Sequence, residues 1–394
     1  METAKSRLAG ADGLRAIACL LVVWHHTAQK LNPEGASPLI GLFQYLGMRG
    51  EVGVSLFFVL SGCLLSLPFW ASFVNAQPLP SFKWYSINRA ARIAPAFWLS
   101  LIVCNILAIW VFDLGFNWQK IVTAFMFINS YHFSTFFPTE LNGPLWSIGL
   151  EVSCYLLLPI VLYFINRLAK STAIAVAGLA AVIVALQALN PLIIQVFMTD
   201  NDQKGWQFGI DGGAKQWLPF WNVDSFFTQF LLGSLAALVI AHLGLKQTKA
   251  NLGFDFGFLA ASASAIALVL VRLTPGAPDS ITQQPYVSPY FALLMALALV
   301  CASQSVYVSR LLDNQLFTWL AKLSFGIYLW HFVVIEIIAR KFVPDYVYYG
   351  STDAVQWILV SSVVLLISVA IAAASWKWLE SPILTAVRRK RVEA

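Results

Sequence analysis

Residues 12–30, DGLRAIACLLVVWHHTAQK, decide how this chain folds. The stretch is long and apolar, yet it carries Arg15 and His26, which are eleven residues apart. On an α-helix this spacing is about three turns plus about 20°, so the two side chains share a face, roughly 16 Å apart along the axis. A charged or titratable group in a lipid-spanning helix is costly unless it faces a polar interior. The spacing therefore predicts a hydrated, functional seam inside a bundle of membrane helices.

The composition places the rest of the chain in the membrane as well. Hydrophobic residues make up 59% of the 394 residues and charged residues only 11%, whereas soluble domains have about 25% charged residues. The apolar runs have the length of roughly 17–25 residues that a bilayer demands, and continuous runs favour helices over the alternating strands of a β-barrel. We predict an all-α, polytopic membrane helical bundle of about ten transmembrane helices, near residues 12–30, 52–74, 94–112, 145–166, 171–189, 225–243, 255–273, 287–303, 316–339 and 354–378. Residues 120–131 are too short to span and are predicted to be interfacial or re-entrant.

The net charge of +6 comes from basic residues between alternate spans and does not indicate a nucleic-acid partner. The positive-inside rule then predicts that both termini are cytoplasmic, which requires an even number of spans. We expect a multi-pass protein of the inner (plasma) membrane. The five cysteines lie in or beside apolar runs without CxxC spacing, which is typical of small buried hydrophobic residues. We expect no metal site.

Polar side chains recur at helical spacing on two further spans. Ser147 and Glu151 are one turn apart on the fourth span. Glu151 has two interpretations: an interfacial carboxylate that meets water at the outer edge, or one that orients a histidine or pairs with an arginine. Ser324, Tyr328 and His331 follow an i, i+4, i+7 pattern on the ninth span. This stripe indicates either a hydrogen-bonded helix interior or the wall of a cavity.

Two other pairs of residues leave alternatives open. Arg89 and Arg92 are three residues apart on the cytoplasmic side of the third span. They act either as positive-inside anchors or as ligands for the phosphates of an anionic donor, which arginine binds well. His25 and His26 compete for one role in the first span. Only His26 aligns with Arg15, because His25 is rotated by about 100° and faces elsewhere.

These motifs occur in a fixed order along the chain, and that order resembles the acyltransferase 3 family of integral-membrane O-acyltransferases. The resemblance rests on DGLRAIA at 12–18 with His26, GVSLFFVLSGCL at 53–64, RAARIAPAF at 89–97, WSIGLE at 146–151, SFGIYLWHF at 324–332 and ESP at 380–382. Ser55 stands where many members have Asp, and Val152 stands where a second acidic residue is common. Neither departure touches Arg15 or His26.

The resemblance implies a single integral-membrane acyltransferase domain over residues 1–394, with spans between 12 and 382 and a short basic cytoplasmic tail at 383–394. We expect the stand-alone form, without a fused SGNH domain. The implied activity is transfer of an acyl group, expected to be acetyl, from cytoplasmic acyl-CoA to a hydroxyl of a sugar or a cell-surface or exported polysaccharide in the bacterial inner membrane. The acceptor, the acyl chain length, the oligomeric state and the need for a separate extracytoplasmic protein are left open.

The implied mechanism assigns a role to each candidate residue. His26 is the expected general base, since imidazole titrates in a suitable range for activating a hydroxyl. Glu151 is expected to orient it. Arg15 is expected to act in catalysis and in binding acetyl-CoA, with Arg89 and Arg92 assisting at the donor mouth. Ser324, Tyr328 and His331 are expected to line the substrate cavity.

Other classes of protein also fit part of the pattern. A transporter or carrier of a lipid-linked or acylated small molecule would show polar stripes along its permeation path. Transporters often contain related halves, and the sequence shows no internal repeat, which counts against this alternative. A membrane sensor or assembly subunit without chemistry is a third alternative.

Overall fold

The computed structural model describes residues 8–198, 215, 218–246, 249–272 and 285–393. Within these ranges the chain is helical and has no β-strand, apart from one isolated bridge between Leu31 and Ser351. The α-helices of the described ranges are α1 (Ala11–Ala28), α2 (Pro38–Met48), α3 (Gly53–Val74), α4 (Phe82–Ile106), α5 (Trp118–Phe125), α6 (Trp146–Leu168), α7 (Thr172–Met198), α8 (Val223–Leu245), α9 (Leu252–Arg272), α10 (Tyr290–Gln304), α11 (Val308–Leu312), α12 (Gln315–Lys341), α13 (Ala354–Ser375) and α14 (Ser381–Glu393).

Each predicted span coincides with a long helix of the structure. Nine helical segments in the described part of the chain are long and apolar enough to cross a membrane, which confirms the predicted polytopic helical bundle. α1 is not among the nine, since its polar residues Asp12, Arg15, His25 and His26 dilute an otherwise apolar segment. It is nevertheless one continuous helix of 18 residues, as the spacing argument for Arg15 and His26 requires.

The structure also adds helices that the apolar runs did not indicate. α2 has only 11 residues, and Ser37 caps it by accepting a hydrogen bond from the backbone N–H of Ile40. α4 begins at Phe82, well before the predicted start at residue 94, so Arg89 and Arg92 lie within the helix. The basic tail forms α14. The stretch 120–131 consists of the short α5 and a 3₁₀ turn at Asn129–Tyr131, so it is too short to span, as predicted.

Internal contacts divide the chain into two compact units. The first unit comprises the described residues of Met1–Ala16, Val54–Phe82 and Leu150–Ala321, and the second comprises Ile17–Gly53, Lys83–Gly149 and the described residues of Lys322–Ala394. In the first unit α3 and α8 are mostly buried, whereas α7 and α9 are mostly exposed and apolar, as lipid contact requires. In the second unit α12 is the buried helix and α13 the exposed one. That the chain is a single domain stays a prediction.

Within the second unit, the C-terminal end of α1 is held by hydrogen bonds from several segments. The last carbonyl groups of a helix have no partner inside the helix, and an unpaired backbone group is costly in an apolar medium. Trp357 Nε1 donates to the carbonyl of Thr27 at 2.8 Å, and Gln44 Nε2 donates to the carbonyl of Ala28 at 3.3 Å. The N–H of Tyr349 donates to the carbonyl of Gln29 at 2.8 Å. The residues around His26 therefore have a fixed backbone.

Within the first unit, two glycines allow α3 and α8 to approach backbone to backbone. A Cβ on Gly62 would lie 1.9 Å from the carbonyl oxygen of Phe230, and a Cβ on Gly233 would lie 2.0 Å from that of Val59. Membrane helices lack a strong hydrophobic driving force between them, so close packing of this kind is a main source of their association. The absence of a side chain at Gly62 and Gly233 is therefore what permits this contact.

We predict that Gly62→Ala lowers the free energy of unfolding by about 1–3 kcal/mol, because the added methyl group forces α3 and α8 apart. Gly178→Ala in α7 is the matched control, since a Cβ there meets nothing closer than 3.7 Å. The measurement is the thermal unfolding midpoint of each purified variant in detergent micelles. A midpoint for Gly62→Ala at or above that of the control would contradict the close packing.

Candidate functional site

His26 lies in the last turn of α1 and meets a second histidine from α12. Its ring centroid is 5.3 Å from that of His331 and 4.9 Å from that of Phe332. Its Nδ1 lies 3.1 Å from Oε1 of Gln29. All four residues belong to the second unit. The structure therefore brings together two of the residues that the sequence pattern singled out separately.

Gln29 is a member of this cluster that the sequence analysis missed. Its Nε2 lies 3.0 Å from Nε2 of His25, whose Nδ1 lies 2.8 Å from the carbonyl oxygen of Met48. His25 thus hydrogen-bonds to the end of α2, and Gln29 connects it to His26. The signal was present in the spacing, because Gln29 is i+4 from His25 and i+3 from His26, and residues at these separations are neighbours on a helix.

His331 is fully buried and one of its ring nitrogens is fixed by the backbone. Its Nδ1 lies 2.9 Å from the carbonyl oxygen of Tyr328 and 3.1 Å from that of Ile327. Carbonyl groups only accept, so Nδ1 carries the hydrogen of the neutral ring and Nε2 is an acceptor. This Nε2 has no hydrogen-bond partner among the described residues. A buried acceptor without a donor is costly and marks a place where a donor group can bind.

The other two members of the α12 stripe are also buried, which confirms that the stripe faces an interior. The hydroxyl of Tyr328 donates to the carbonyl of Pro144 at 2.7 Å and lies 2.6 Å from Oγ of Ser147. The backbone carbonyl of Ser324 accepts from the thiol of Cys19 at 3.5 Å. A role of Ser324, Tyr328 and His331 in lining a substrate cavity stays a prediction.

A residue between the predicted motifs holds the middle of α12. Asn142 is fully buried, and its Nδ2 donates to the carbonyl of Leu329 at 2.8 Å. The hydroxyl of Ser100 on α4 donates to the same carbonyl at 3.3 Å. These two bonds fix the helix that carries His331. The sequence offered no periodic signal for Asn142, because it lies in an irregular segment.

Arg92 pairs with the glutamate of the ESP motif. Its Nη1 lies 2.7 Å from Oε2 of Glu380, which is only 2% exposed. The guanidinium also lies over the rings of Phe325 and Trp376, at 5.4 and 5.1 Å. The Arg92 charge is therefore balanced within the protein. Donor phosphates would have to share this arginine with Glu380 or displace that carboxylate. Arg89 lies one turn earlier on α4 and is partly buried, and its binding role stays a prediction.

Glu151 and Arg15 belong to the first unit. Oε1 of Glu151 accepts hydrogen bonds from the hydroxyl of Ser61, at 3.0 Å, and from the hydroxyl of Tyr155. Ser61 is part of the resemblance motif at 53–64, so the structure links two motifs that are 90 residues apart. Arg15 lies in the second turn of α1 and is partly buried. The catalytic roles of Glu151 and Arg15, and the donor-binding role of Arg15, stay predictions.

The described residues contain no group of three or more His, Cys, Asp or Glu side chains placed to hold a metal ion. The five cysteines are free thiols, and four of them are buried. This agrees with their interpretation as small hydrophobic residues.

We predict that Arg92→Gln destabilises the protein by about 3–5 kcal/mol, because it leaves a buried carboxylate without its partner. The Arg92→Gln/Glu380→Gln double variant should recover much of this loss, since the uncompensated charge is removed. Arg340→Gln is the matched control: Arg340 is 39% exposed and pairs with Glu336 one turn away on α12, and such a pair is worth about 0–1 kcal/mol. Thermal unfolding of the wild-type protein, of both single variants Arg92→Gln and Glu380→Gln and of the double variant gives the coupling. Strictly additive losses in the double variant would contradict the pairing.

Comparison with known proteins identifies the family. A family described as an acyltransferase domain, acyltransferase 3, matches residues 8–374. The O-acetyltransferase OatA of Staphylococcus aureus (strain NCTC 8325 / PS 47) is 23% identical over 393 residues, which are 95% of this chain and 57% of that protein. A protein of Bacillus subtilis (strain 168), provisionally named peptidoglycan O-acetyltransferase YrhL, is 25% identical over 397 residues, which are 95% of this chain and 55% of that protein.

The chain thus spans about half the length of the curated relatives it matches. The family match covers nearly all of the chain and confirms the resemblance drawn from the sequence. This multi-pass membrane protein belongs to the acyltransferase 3 family.

Proposed function

We propose that the protein is an O-acetyltransferase that moves an acetyl group from cytoplasmic acyl-CoA to a hydroxyl of a cell-surface polysaccharide. Membership of the acyltransferase family supports the reaction class. The names of the relatives, O-acetyltransferase and peptidoglycan O-acetyltransferase, support acetyl as the group and peptidoglycan sugars as the first acceptors to test. The expected partners are the acyl-CoA donor, a carbohydrate acceptor and the lipid bilayer of the inner membrane.

The observation that carries this proposal is the contact between His26 and His331 in the second unit, with ring centroids 5.3 Å apart. A sugar hydroxyl is a poor nucleophile and needs a positioned base, which typically contributes 10²–10⁴-fold to the rate. His26 is the proposed base. The buried Nε2 of His331 can accept a hydrogen bond but has no donor among the described residues. We propose that it accepts a hydrogen bond from a second hydroxyl of the acceptor. Two neighbouring imidazole acceptors suit a ligand rich in hydroxyl donors.

Charged residues are proposed to act on the donor. Arg15, Arg89 and Arg92 carry guanidinium groups, and a guanidinium can donate two parallel hydrogen bonds to the oxygens of one phosphate. Arg92 already has a carboxylate partner at 2.7 Å. The phosphates of CoA carry more than one negative charge and can compete for it. Glu151 is proposed to take part in catalysis, with its carboxylate held by Ser61 and Tyr155.

The carrier alternative predicts a different product balance. A carrier of a lipid-linked or acylated molecule would move its cargo without consuming acyl-CoA, whereas a transferase releases one CoA for each acetyl group that it transfers. Measuring both quantities in one reaction separates the two classes.

We predict that His26→Ala abolishes acetyl transfer, with a loss of at least about 10²-fold, because the acceptor hydroxyl loses its base. The assay uses purified protein in lipid nanodiscs, radiolabelled acetyl-CoA and peptidoglycan oligosaccharides, and follows CoA release and acetylated sugar. His132→Ala is the matched control, since Nδ1 of His132 lies 2.8 Å from Oγ of its near neighbour Ser134 and no catalytic role is proposed for it. Acetylation at the wild-type rate by a folded His26→Ala protein would overturn the proposed role.

Arg15→Lys is expected to impair the same reaction although it keeps the charge, because an ammonium group cannot make the paired contacts of a guanidinium. The loss should be largest at low acetyl-CoA concentration if Arg15 binds the donor. The measurement is kcat and KM for acetyl-CoA in the nanodisc assay. If kcat and KM for acetyl-CoA were both unchanged, Arg15 would not be part of the donor site.

A further inference from the structure

We propose that Gln29 and His25 are positioning residues that fix the tautomer of His26, so that Nδ1 carries its hydrogen and Nε2 is the basic nitrogen. This rests on the proposed function, in which His26 is the general base. The relay runs from the carbonyl of Met48 through His25 and Gln29 to His26, and all of it lies in the second unit. It consists of three hydrogen bonds of 2.8, 3.0 and 3.1 Å.

The backbone determines which ring nitrogen of His25 carries the hydrogen. A backbone carbonyl only accepts hydrogen bonds, so Nδ1 of His25, 2.8 Å from the carbonyl oxygen of Met48, must carry a hydrogen. His25 is buried, with 8% of its surface exposed. Its hydrogen-bond partners in the described part of the chain are a carbonyl and an amide, and neither is charged. A buried imidazolium without a charged partner is costly. The neutral ring therefore has its lone pair on Nε2.

His25 in turn determines the orientation of the side-chain amide of Gln29. A lone pair on Nε2 of His25 requires a donor, and the donor of a glutamine side chain is its NH₂ group. That group lies 3.0 Å away, which turns Oε1 of Gln29 toward Nδ1 of His26 at 3.1 Å. An amide oxygen only accepts, so Nδ1 of His26 must carry a hydrogen. The lone pair of neutral His26 is then on Nε2.

The donor and acceptor of a single hydrogen bond in the relay cannot be exchanged without disrupting the neighbouring bond. Turning the amide of Gln29 alone would place two acceptors opposite each other at His25 and two donors opposite each other at His26. The backbone of Gln29 is also fixed, because its N–H donates to the carbonyl of His25 at 3.1 Å and its carbonyl accepts from Tyr349 at 2.8 Å. The tautomer of His26 is thus set by the carbonyl of Met48, two side chains away.

The chemistry explains why the tautomer matters. The proton of the acceptor hydroxyl moves to Nε2 of His26 while the hydroxyl oxygen bonds to the thioester carbon. The C–S bond then breaks, and the CoA thiolate takes that proton and leaves as the thiol. During the reaction His26 is an imidazolium, and its Nδ1–H is held by the amide oxygen of Gln29. With the other tautomer, Nε2 already carries a hydrogen and cannot act as the base.

The test compares Gln29→Leu, Gln29→Glu and the matched control Gln356→Leu, which changes an exposed glutamine of α13. The tautomer is read from the ¹⁵N shifts of labelled histidine by solid-state NMR in bilayers, with the His26 signals assigned by their loss in His26→Asn. In the wild-type protein we expect the hydrogen on Nδ1 of His26. Gln29→Leu should shift population to the Nε2–H form and lower kcat by about 10²-fold, with KM for acetyl-CoA unchanged.

Gln29→Glu should restore the wild-type tautomer and part of kcat, because its carboxylate oxygen still accepts from Nδ1 of His26. Gln356→Leu should change neither quantity. A wild-type spectrum with the hydrogen on Nε2 of His26 would overturn the relay, and this outcome needs no active variant. So would a Gln29→Leu protein with wild-type kcat.

Failure of the proposed function has a separate signature. If His26→Ala continued to transfer acetyl groups, His26 would not be the base, yet the NMR assignment of its tautomer in the wild-type protein would be unaffected.

Discussion

The constraint on which the second unit depends is that polar groups at the end of α1 lie in an otherwise apolar bundle. A polar group there is costly without a hydrogen-bond partner, because neither lipid nor an apolar core supplies one. Trp357 and Gln44 meet the terminal carbonyls of α1, and Gln29 meets the two adjacent histidines. These bonds determine which segments pack against the end of α1. The same bonds that make the helix end tolerable also fix the orientation of His26.

The proposed chemistry depends on Nε2 of His26 and Nε2 of His331, because these hydrogen bonds engage only the Nδ1 atom of each ring. Backbone carbonyls take Nδ1 of His331, and Gln29 takes Nδ1 of His26. The Nε2 atom of each ring then remains to accept a hydrogen from a ligand. Arg92 is different, because Glu380 already balances its charge, so its proposed role in donor binding requires the phosphate to compete with that carboxylate. His26, which uncharged partners orient, suits an acceptor with a hydroxyl group. Arg92, which a carboxylate holds, suits a donor that carries phosphates.

Much of the fold could be predicted because bilayer thickness sets the length of each apolar run, and all ten predicted spans coincide with long helices. The burial of Ser324, Tyr328 and His331 was also predictable, since helical spacing places them on one stripe. The pairing of Arg92 with Glu380 was not, because 288 residues separate them and only tertiary packing brings them together. Asn142 was missed for another reason, because it lies in an irregular segment where periodicity carries no information about direction. Gln29 could have been recognised from its helical spacing to His25 and His26.

The central claim is that His26 supplies the base for acetyl transfer, and chemical rescue tests it most directly. In a His26→Gly protein in nanodiscs, free imidazole can occupy the space that the side chain leaves. The account predicts that acetyl transfer is lost and that added imidazole restores part of it in a concentration-dependent way, with no such effect on the wild-type protein. A folded His26→Gly protein that acetylates its acceptor at the wild-type rate without imidazole would contradict the account.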